Sequence, residues 1–359
     1  MVKIMPKVLF KKESIEKIRK LNRILNKKEL KNNELFLKSY PKNVYLEITR
    51  NCNNSCIMCF PHRFSNKYYS KFDMPFELFK KIADTLFPYV EFVDLRGWGE
   101  STLVKNFEDY VNYALKFNCK LGLVTNLTVQ NDEIWKNLVK NNFILDISID
   151  GATKRTFEFI RRGAIFENVI NNVKKLIEFA YDYNKPVDNF NFLVTVQKYN
   201  IKEIPKIFEL AGKLGIKRIK LAPMTLGYND PNSLSNCFEM VKKYIPAAIK
   251  VAKKNKIKFR LINSFGIKKM EKKLGFECQN KCKNPWSSIY INYQGFVGPC
   301  NCLMPRTFTN LNLKNSDFQN VWNNPNFLLF RSMVNTKYRR HLSSLCEWCF
   351  KNRFIPTFE

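Results

Sequence analysis

Several features are scarce or missing in this chain of 359 residues. No apolar run approaches the length of a membrane-spanning helix, which sets aside a helical membrane protein. The opening stretch, Met-Val-Lys-Ile-Met-Pro-Lys-Val-Leu-Phe, is too broken by charge and proline for a secretory signal, so a cytoplasmic location is expected. No segment repeats, which excludes solenoids and propellers. Acidic residues are few: 31 Asp and Glu face 61 Lys and Arg, a formal charge of +30. That balance invites a nucleic-acid partner. The lysines, however, are spread through every segment and form no stripe, so nucleic acid is not the expected substrate. Only two histidines occur. His62 reads as a surface-loop residue, with a ligand contact as the alternative, and His341 carries no specific signal.

What is present is a chain able to bury a core, with 45% hydrophobic residues, and eleven cysteines. A disulfide framework would be unusual in a reducing compartment, so cysteine clustering points to metal. The clearest cluster is Cys52, Cys56 and Cys59, in Thr-Arg-Asn-Cys-Asn-Asn-Ser-Cys-Ile-Met-Cys-Phe. Three thiolates on one tight loop hold three corners of an iron–sulfur cube and leave one iron open, and an open position separates a catalytic metal site from a closed structural one. Zinc is the alternative for closely spaced cysteines, although zinc knuckles usually bring paired Cys-x-x-Cys units.

From residue 43 strand and helix patterns alternate. Val44, Leu46 and Ile48 have the two-residue period of a strand. Residues 75–87 place Phe76, Phe79, Ile82, Ala83 and Leu86 on one helical face behind Pro75. Strand-like runs follow at 91–95, 121–125, 143–149, 190–196, 217–222 and 257–262, with helical patterns such as 106–117, 166–182 and 201–213 between them. The alternation predicts an α/β fold with a parallel sheet, either a barrel or doubly wound. Residues 1–41 read as a basic helical extension with a solvated face, including Lys17, Lys20, Lys27, Lys28 and Lys31; a docking arm for an acidic partner is the alternative. Residues 42–270 form the core and 271–359 a small cysteine-rich domain. Cys119 and Cys237 read as buried core thiols, the second within a helix.

The Cys52–Cys56–Cys59 spacing resembles the signature of the radical SAM superfamily. The resemblance implies a partial (β/α)6 TIM-type barrel whose site lies at the C-terminal ends of the strands. It implies a [4Fe–4S] cluster on those three cysteines, with S-adenosylmethionine (SAM) chelated at the open iron. Gly97, Gly99 and Glu100, in Leu-Arg-Gly-Trp-Gly-Glu, resemble the family's Gly-Gly-Glu motif at the SAM amino group. Asn126 stands in a Thr-Asn-Leu segment where relatives commonly have Thr-Asn-Gly, which puts a special backbone angle at Leu127 in question. Ser148, Asp150 and Arg161 are similar to motifs that help bind the SAM carboxylate and ribose; for Asp150 a strand-end turn role is the alternative. Leu221-Ala222-Pro223 would lie by the adenine.

In the tail, Cys282, Gly295 and Cys300, followed by Cys346-Glu-Trp-Cys349, resemble the start of a SPASM pattern. No cysteine follows Cys349, so the shorter twitch type is expected, with a second, auxiliary [4Fe–4S] cluster on Cys282, Cys300, Cys346 and Cys349. Cys278 and Cys302 are spare candidates, and a zinc ribbon is the alternative for the whole tail. The implied activity is a radical SAM oxidoreductase. A 5′-deoxyadenosyl radical would take a substrate hydrogen and the auxiliary cluster would accept the remaining electron, giving net oxidation of a sugar or cyclitol. The alternatives are peptide or protein modification and a non-enzymatic metal-stabilised binding protein. An electron donor such as flavodoxin or ferredoxin is an implied partner.

Overall fold

The structure, a computed structural model, describes residues 12–59, 72–224, 230–262, 265, 281–300, 310–342 and 346. Seven strands form the core of the sheet: β1 (Asn43–Leu46), β2 (Phe92–Asp94), β3 (Lys120–Thr125), β4 (Ile144–Ser148), β5 (Phe190–Val196), β6 (Arg218–Pro223) and β7 (Lys258–Leu261). They pair in chain order and in parallel. Helices fill the crossovers, as parallel pairing demands. Two tail strands, β8 (Ser288–Ile291) and β9 (Val297–Gly298), complete the order β7-β6-β5-β4-β3-β2-β1-β8-β9. Among the described residues the order ends at two edges, β7 and β9, so the α/β barrel is open, in keeping with the partial barrel expected. The tail strand β8 runs parallel to β1 and joins the main sheet, with Tyr45 level with Tyr290.

The two faces of this sheet differ. Alternate residues Val44, Leu46, Val93, Leu95, Leu121, Leu123, Leu145, Ile147, Phe192, Val194, Ile219 and Leu221 enter one apolar core with the helices. The Phe76–Leu86 helix illustrates why: Leu78, Phe79, Ile82, Ala83 and Leu86 share its buried face. The intervening strand positions include Tyr45, Asp94, Asp146, Asn191, Lys220 and Arg260. Parallel sheets are ordinarily apolar on both faces; this one is polar on the face away from its helices.

Asparagine does much of the local shaping. With only 12 glycines, the chain places Asn33, Asn118, Asn142 and Asn184 in left-handed backbone just past helix ends, where asparagine is the usual substitute for glycine. Asn131 and Asn324 cap the helices Asp132–Lys140 and Pro325–Met333 by accepting from backbone amides.

The basic N-terminal segment is helical over Lys12–Asn32. One face is exposed, including Lys17, Lys20, Lys27, Lys28 and Lys31; the other docks through a polar stripe. Arg19 donates to the carbonyls of Phe87, Phe117 and Asn118, at the carboxy ends of two helices, where a cation is favoured. Asn26 donates to Trp286 O at 2.6 Å, and Glu29 accepts from Ser39 and from Lys38 N. Arg331 clasps this segment to the tail, donating to Leu35 O, Pro285 O and Trp322 O. Cys119 directly precedes β3, and Cys237 ends a 3-10 turn and caps the Phe238–Lys254 helix rather than lying within it. Among the described residues, no helix is long and apolar enough to cross a membrane.

Candidate active site

The cysteine loop leaves the C-terminal end of β1 and is clipped at its start. Asp73 accepts from Thr49 Oγ1 at 2.6 Å and from Asn51 Nδ2 at 2.7 Å. Farther along, Ser55 N donates to Arg162 O and Ile57 N to Ile160 O, tying the loop to the turn after the Lys154–Ile160 helix. Two glycines let the backbones meet: a Cβ on Gly99 would stand 2.6 Å from Thr49 O, and one on Gly163 would stand 2.8 Å from Asn53 O. Cys56 is buried, and Cys52 and Cys59 are partly so. Burial pushes the Cys52 thiol up to about 11 and raises that of Cys56 too. Neither would ionise readily alone; a bound metal would draw off the protons. Two side-chain donors face the sulfurs: Asn126 Nδ2 at 3.8 Å from Cys52 Sγ, and Arg161 Nη1 at 4.0 Å from Cys56 Sγ.

Glu100 sits inside this framework and is 2% exposed. One carboxylate oxygen accepts from Thr102 Oγ1 and Thr125 Oγ1, the other from Asn126 N at 2.6 Å. Its own amide donates to Asn51 O. The carboxylate thus braces the end of β3 against the glycine turn after β2, and chain donors occupy both of its oxygens. Burial raises its pKa, against the pull of those donors. Leu127 keeps a left-handed angle, φ 55°, although it is not glycine. Its amide donates to Thr125 Oγ1 and its carbonyl accepts from Asn172, so the surroundings hold a conformation the side chain disfavours.

Asp150 and Arg161 form a buried ion pair at 2.7 Å. Asp150 also accepts from Thr195 N, and Asn200 donates to its carbonyl. Arg161 Nε is buried with no hydrogen-bond partner among the described residues. Ser148 is buried at the end of β4, two residues before Asp150. The structure therefore brings Cys52, Cys56, Asn126, Glu100, Asp150 and Arg161 into one connected set.

Family models match two parts of the chain: the radical SAM superfamily over residues 46–211 and the SPASM iron–sulfur cluster-binding domain over residues 282–350. The chain carries a radical SAM domain followed by a SPASM domain. A cofactor-modifying protein for the tungsten-containing aldehyde ferredoxin oxidoreductase of Pyrococcus furiosus is 30% identical over 194 residues, 51% of this chain and 52% of that protein. A cysteine-type anaerobic sulfatase-maturating enzyme of Clostridium novyi is 28% identical over 197 residues, 50% of each. The chain spans about half the length of these curated relatives. Among solved structures, SuiB of Streptococcus suis, bound to its precursor peptide SuiA, superposes with a TM-score of 0.68 at 17% identity, over 94% of this chain and 75% of that one. That likeness speaks to the fold.

Radical SAM and SPASM domains carry a [4Fe–4S] cluster with SAM and auxiliary iron–sulfur clusters. The loop fits such a cluster by its donor set, three sulfurs with two N–H donors beside them. Among the described residues no three His, Cys, Asp or Glu side chains stand close enough to share one metal ion; a cube does not ask this, since each cysteine takes its own iron. In the tail, Cys282 is bracketed by Asn335, which accepts from its amide at 2.7 Å and donates to its carbonyl. Gly295, at φ 85°, turns the chain from β8 into β9. Cys300 is partly buried and Cys346 buried. Cys349, Cys278, Cys302 and His62 lie outside the described residues.

Sequence reading missed Glu47, which has no exposed surface. Its carboxylate accepts from Trp98 N at 3.1 Å and pairs with Arg50 at 3.4 Å. Gly97 exists for it: a Cβ there would stand 2.4 Å from Glu47 Cγ. The signal available was a carboxylate at a strand position bounded by Leu46 and Ile48.

Proposed function

We propose that the loop carrying Cys52, Cys56 and Cys59 is where SAM is cleaved, and that the radical is spent on a substrate seated on the polar face of the barrel. The observation carrying this is the Asp150–Arg161 pair, which aims a buried guanidinium with an unpartnered Nε at the cysteine loop. A carboxylate is the natural partner for such a fork. A [4Fe–4S] cluster with one open iron supplies, when bound, the electron for reductive cleavage of SAM. The chain's part is placement. Arg161 would take the SAM carboxylate, with Ser148, on β4 two residues before Asp150, as a further contact. Asp150 keeps Arg161 charged and oriented. Asn126 steadies Cys52. Gly97 and Gly99 keep the turn after β2 close, with Glu100 as its brace and as the acceptor for the SAM amino group. We assign residues 42–270 to the radical SAM core and 271–359 to the auxiliary domain, with one further cluster on Cys282, Cys300, Cys346 and Cys349. Its role is to accept the electron left on the substrate.

For the substrate, a peptide or protein side chain is the first reading, because the Clostridium novyi relative matures a sulfatase. Oxidation of a sugar or cyclitol is the second, favoured by the polar lining of the barrel. The test is iron, sulfide and 5′-deoxyadenosine in the anaerobically reconstituted protein, wild type against the Cys52/Cys56/Cys59 triple alanine variant. About eight irons should fall to about four, and reductant-dependent 5′-deoxyadenosine should vanish. Wild-type protein that holds iron yet never yields 5′-deoxyadenosine would end this reading.

A further inference from the structure

A recess opens on the outer side of the cysteine loop. It holds about 400 Å³ and is lined by Ser55, Cys56 and Ile57 of that loop together with Phe159, Arg162 and Tyr199. Strand alternation turns Ser148, Asp150 and Thr195 toward the chamber, and none of these three lines the recess. Its walls instead carry side chains open to solvent. Ser55 and Arg162 are exposed, and Phe159 and Tyr199 are 44% and 47% exposed.

The two rings meet edge to face with centroids 4.8 Å apart, and the Arg162 guanidinium stands 5.9 Å from the Phe159 ring centre. Tyrosine, phenylalanine and arginine are the residues enriched where proteins dock. The recess is therefore built like the centre of a contact surface, and one of the three loop cysteines lies in its wall.

Apart from the Lys154–Glu167 pair at 3.4 Å, the exposed charge around it has one sign. Arg155 lies one turn before Phe159 on the same helix face. Arg162 lines the recess, and Lys202 follows Tyr199 by three residues. Lys198 N donates at 3.0 Å to the carbonyl of Asn232, another residue of the lining. All four cations are exposed. The acids of the same segments are buried or half-buried and already accept hydrogen bonds: Glu158 from Phe166 N, Glu203 from Ala152 N and two threonines, and Asp230 from Asn232 N. A molecule approaching from solvent meets aromatic rings ringed by cations.

We propose that this recess is where an acidic one-electron carrier protein docks to reduce the loop cluster. The proposal rests on the reading of the loop as the place where SAM is cleaved, which requires an electron delivered from outside the chain. The carrier gives up one electron and is oxidised by one. The cluster on Cys52, Cys56 and Cys59 takes it up and is reduced by one, and no atom is transferred. A substrate must enter the chamber to lose hydrogen, whereas a carrier needs only to come close to the cluster. A recess outside the chamber, with Cys56 in its wall, suits the carrier. Its carboxylates would face Arg155, Arg162, Lys198 and Lys202, and an apolar side chain would cover Phe159 and Tyr199.

The experiment titrates a flavodoxin and a [2Fe–2S] ferredoxin into the full-length, anaerobically reconstituted protein by calorimetry, at low and moderate ionic strength. Formation of 5′-deoxyadenosine is followed with each carrier and with dithionite, which needs no docking surface. Arg155→Glu/Lys198→Glu should weaken carrier binding at least about tenfold at low ionic strength and flatten its salt dependence. Tyr199→Ala should weaken it at least about threefold with the salt dependence unchanged. Carrier-driven 5′-deoxyadenosine should fall in both variants while the dithionite-driven yield holds. Lys17→Glu/Lys28→Glu makes the same change in net charge on the N-terminal helix and should alter binding by less than about twofold. Equal weakening in the two charge-reversed variants would make the attraction a property of net charge and overturn the proposal, as would a wild type that binds neither carrier. Equal loss with carrier and with dithionite would give the recess to SAM or to the substrate, and would overturn it too. If wild type yields no 5′-deoxyadenosine with any reductant, the radical SAM reading falls, and the binding comparison still decides the docking surface.

Discussion

At the mouth of the barrel three cysteines fall within one short loop, and their surroundings come from four strand ends. The loop is tied by backbone bonds to residues 160 and 162 and braced by Asp73, Glu100, Asn126 and Arg161. In the tail, Cys282, Cys300 and Cys346 are far apart in sequence, and a different contact fixes each neighbourhood. Asn335 brackets Cys282, Gly295 sets the hairpin ahead of Cys300, and Arg331 locks the helical segment ahead of Cys346. The first site is a compact motif supported by a distributed fold. The second is a distributed motif supported by local clasps. Damage should therefore spread differently: a break in the first framework strikes chemistry at once, whereas one in the second loosens a module.

The sharpest way to break that contrast is Asp150→Ala. It leaves Arg161 buried without its counter-charge, a change that costs about 3–5 kcal/mol. Melting temperature should fall steeply, and the iron of the loop should be lost while tail iron stays. Equal loss from both sites would show that the two regions are not independent.

On the tail side, Arg331→Met removes three bonds from a charged donor to carbonyls and the packing of its guanidinium on Trp322 at 4.5 Å. About 2–3 kcal/mol should be lost. Substrate-independent 5′-deoxyadenosine should survive at temperatures where the variant is folded. Its disappearance there would mean that the tail supports the loop directly. A milder probe of the loop is Gly99→Ala, which forces a Cβ against Thr49 O and should cost about 1–3 kcal/mol with reduced iron at the loop. Full iron with unchanged stability would show that the glycine contact is slack.

The contrast also explains what was legible in the sequence. The strands and the cysteine loop were readable because apolar alternation and tight spacing are local signals. The core helices were readable too, though Cys237 proved to be a cap. The docking of the N-terminal helix was not, because after Ile15 its buried stripe is Arg19, Asn22, Asn26 and Glu29, polar residues that no hydrophobic period reveals. Glu100 read as a ligand contact from its motif, and its bonds to Thr102, Thr125 and Asn126 show a bracing role that the motif does not reveal. The strain at Leu127 persists without glycine because Thr125 and Asn172 hold it from outside the motif. Asp94, Asp146 and Lys220 carry no motif, and only strand register brings them to one face. Leu46-Glu47-Ile48 read as ordinary alternation, because periodicity marks which face a residue is on and not what waits there.

Glu47 offers the smallest and most diagnostic effect, since it lies where the two regions touch. It follows β1 directly, pairs with Arg50 on the way to the cysteine loop, and lies beside Tyr290 of the tail strand β8. Burial raises its pKa, and Arg50 and Trp98 N–H oppose that shift without cancelling it. The folded protein therefore holds this proton more tightly than the unfolded chain. Its contribution to stability is full below the unfolded carboxyl value and is lost as pH rises through the folded one. Glu47→Gln keeps the shape and removes the titration. Between pH 5 and 8 the melting temperature of wild type should thus fall more than that of the variant, the two diverging with rising pH by less than any change above. A variant less stable at every pH, with an unchanged slope, would mean that Glu47 is ionised throughout and holds Arg50 as a permanent ion pair. The joint between loop and tail would then be electrostatic rather than a neutral hydrogen-bonded contact.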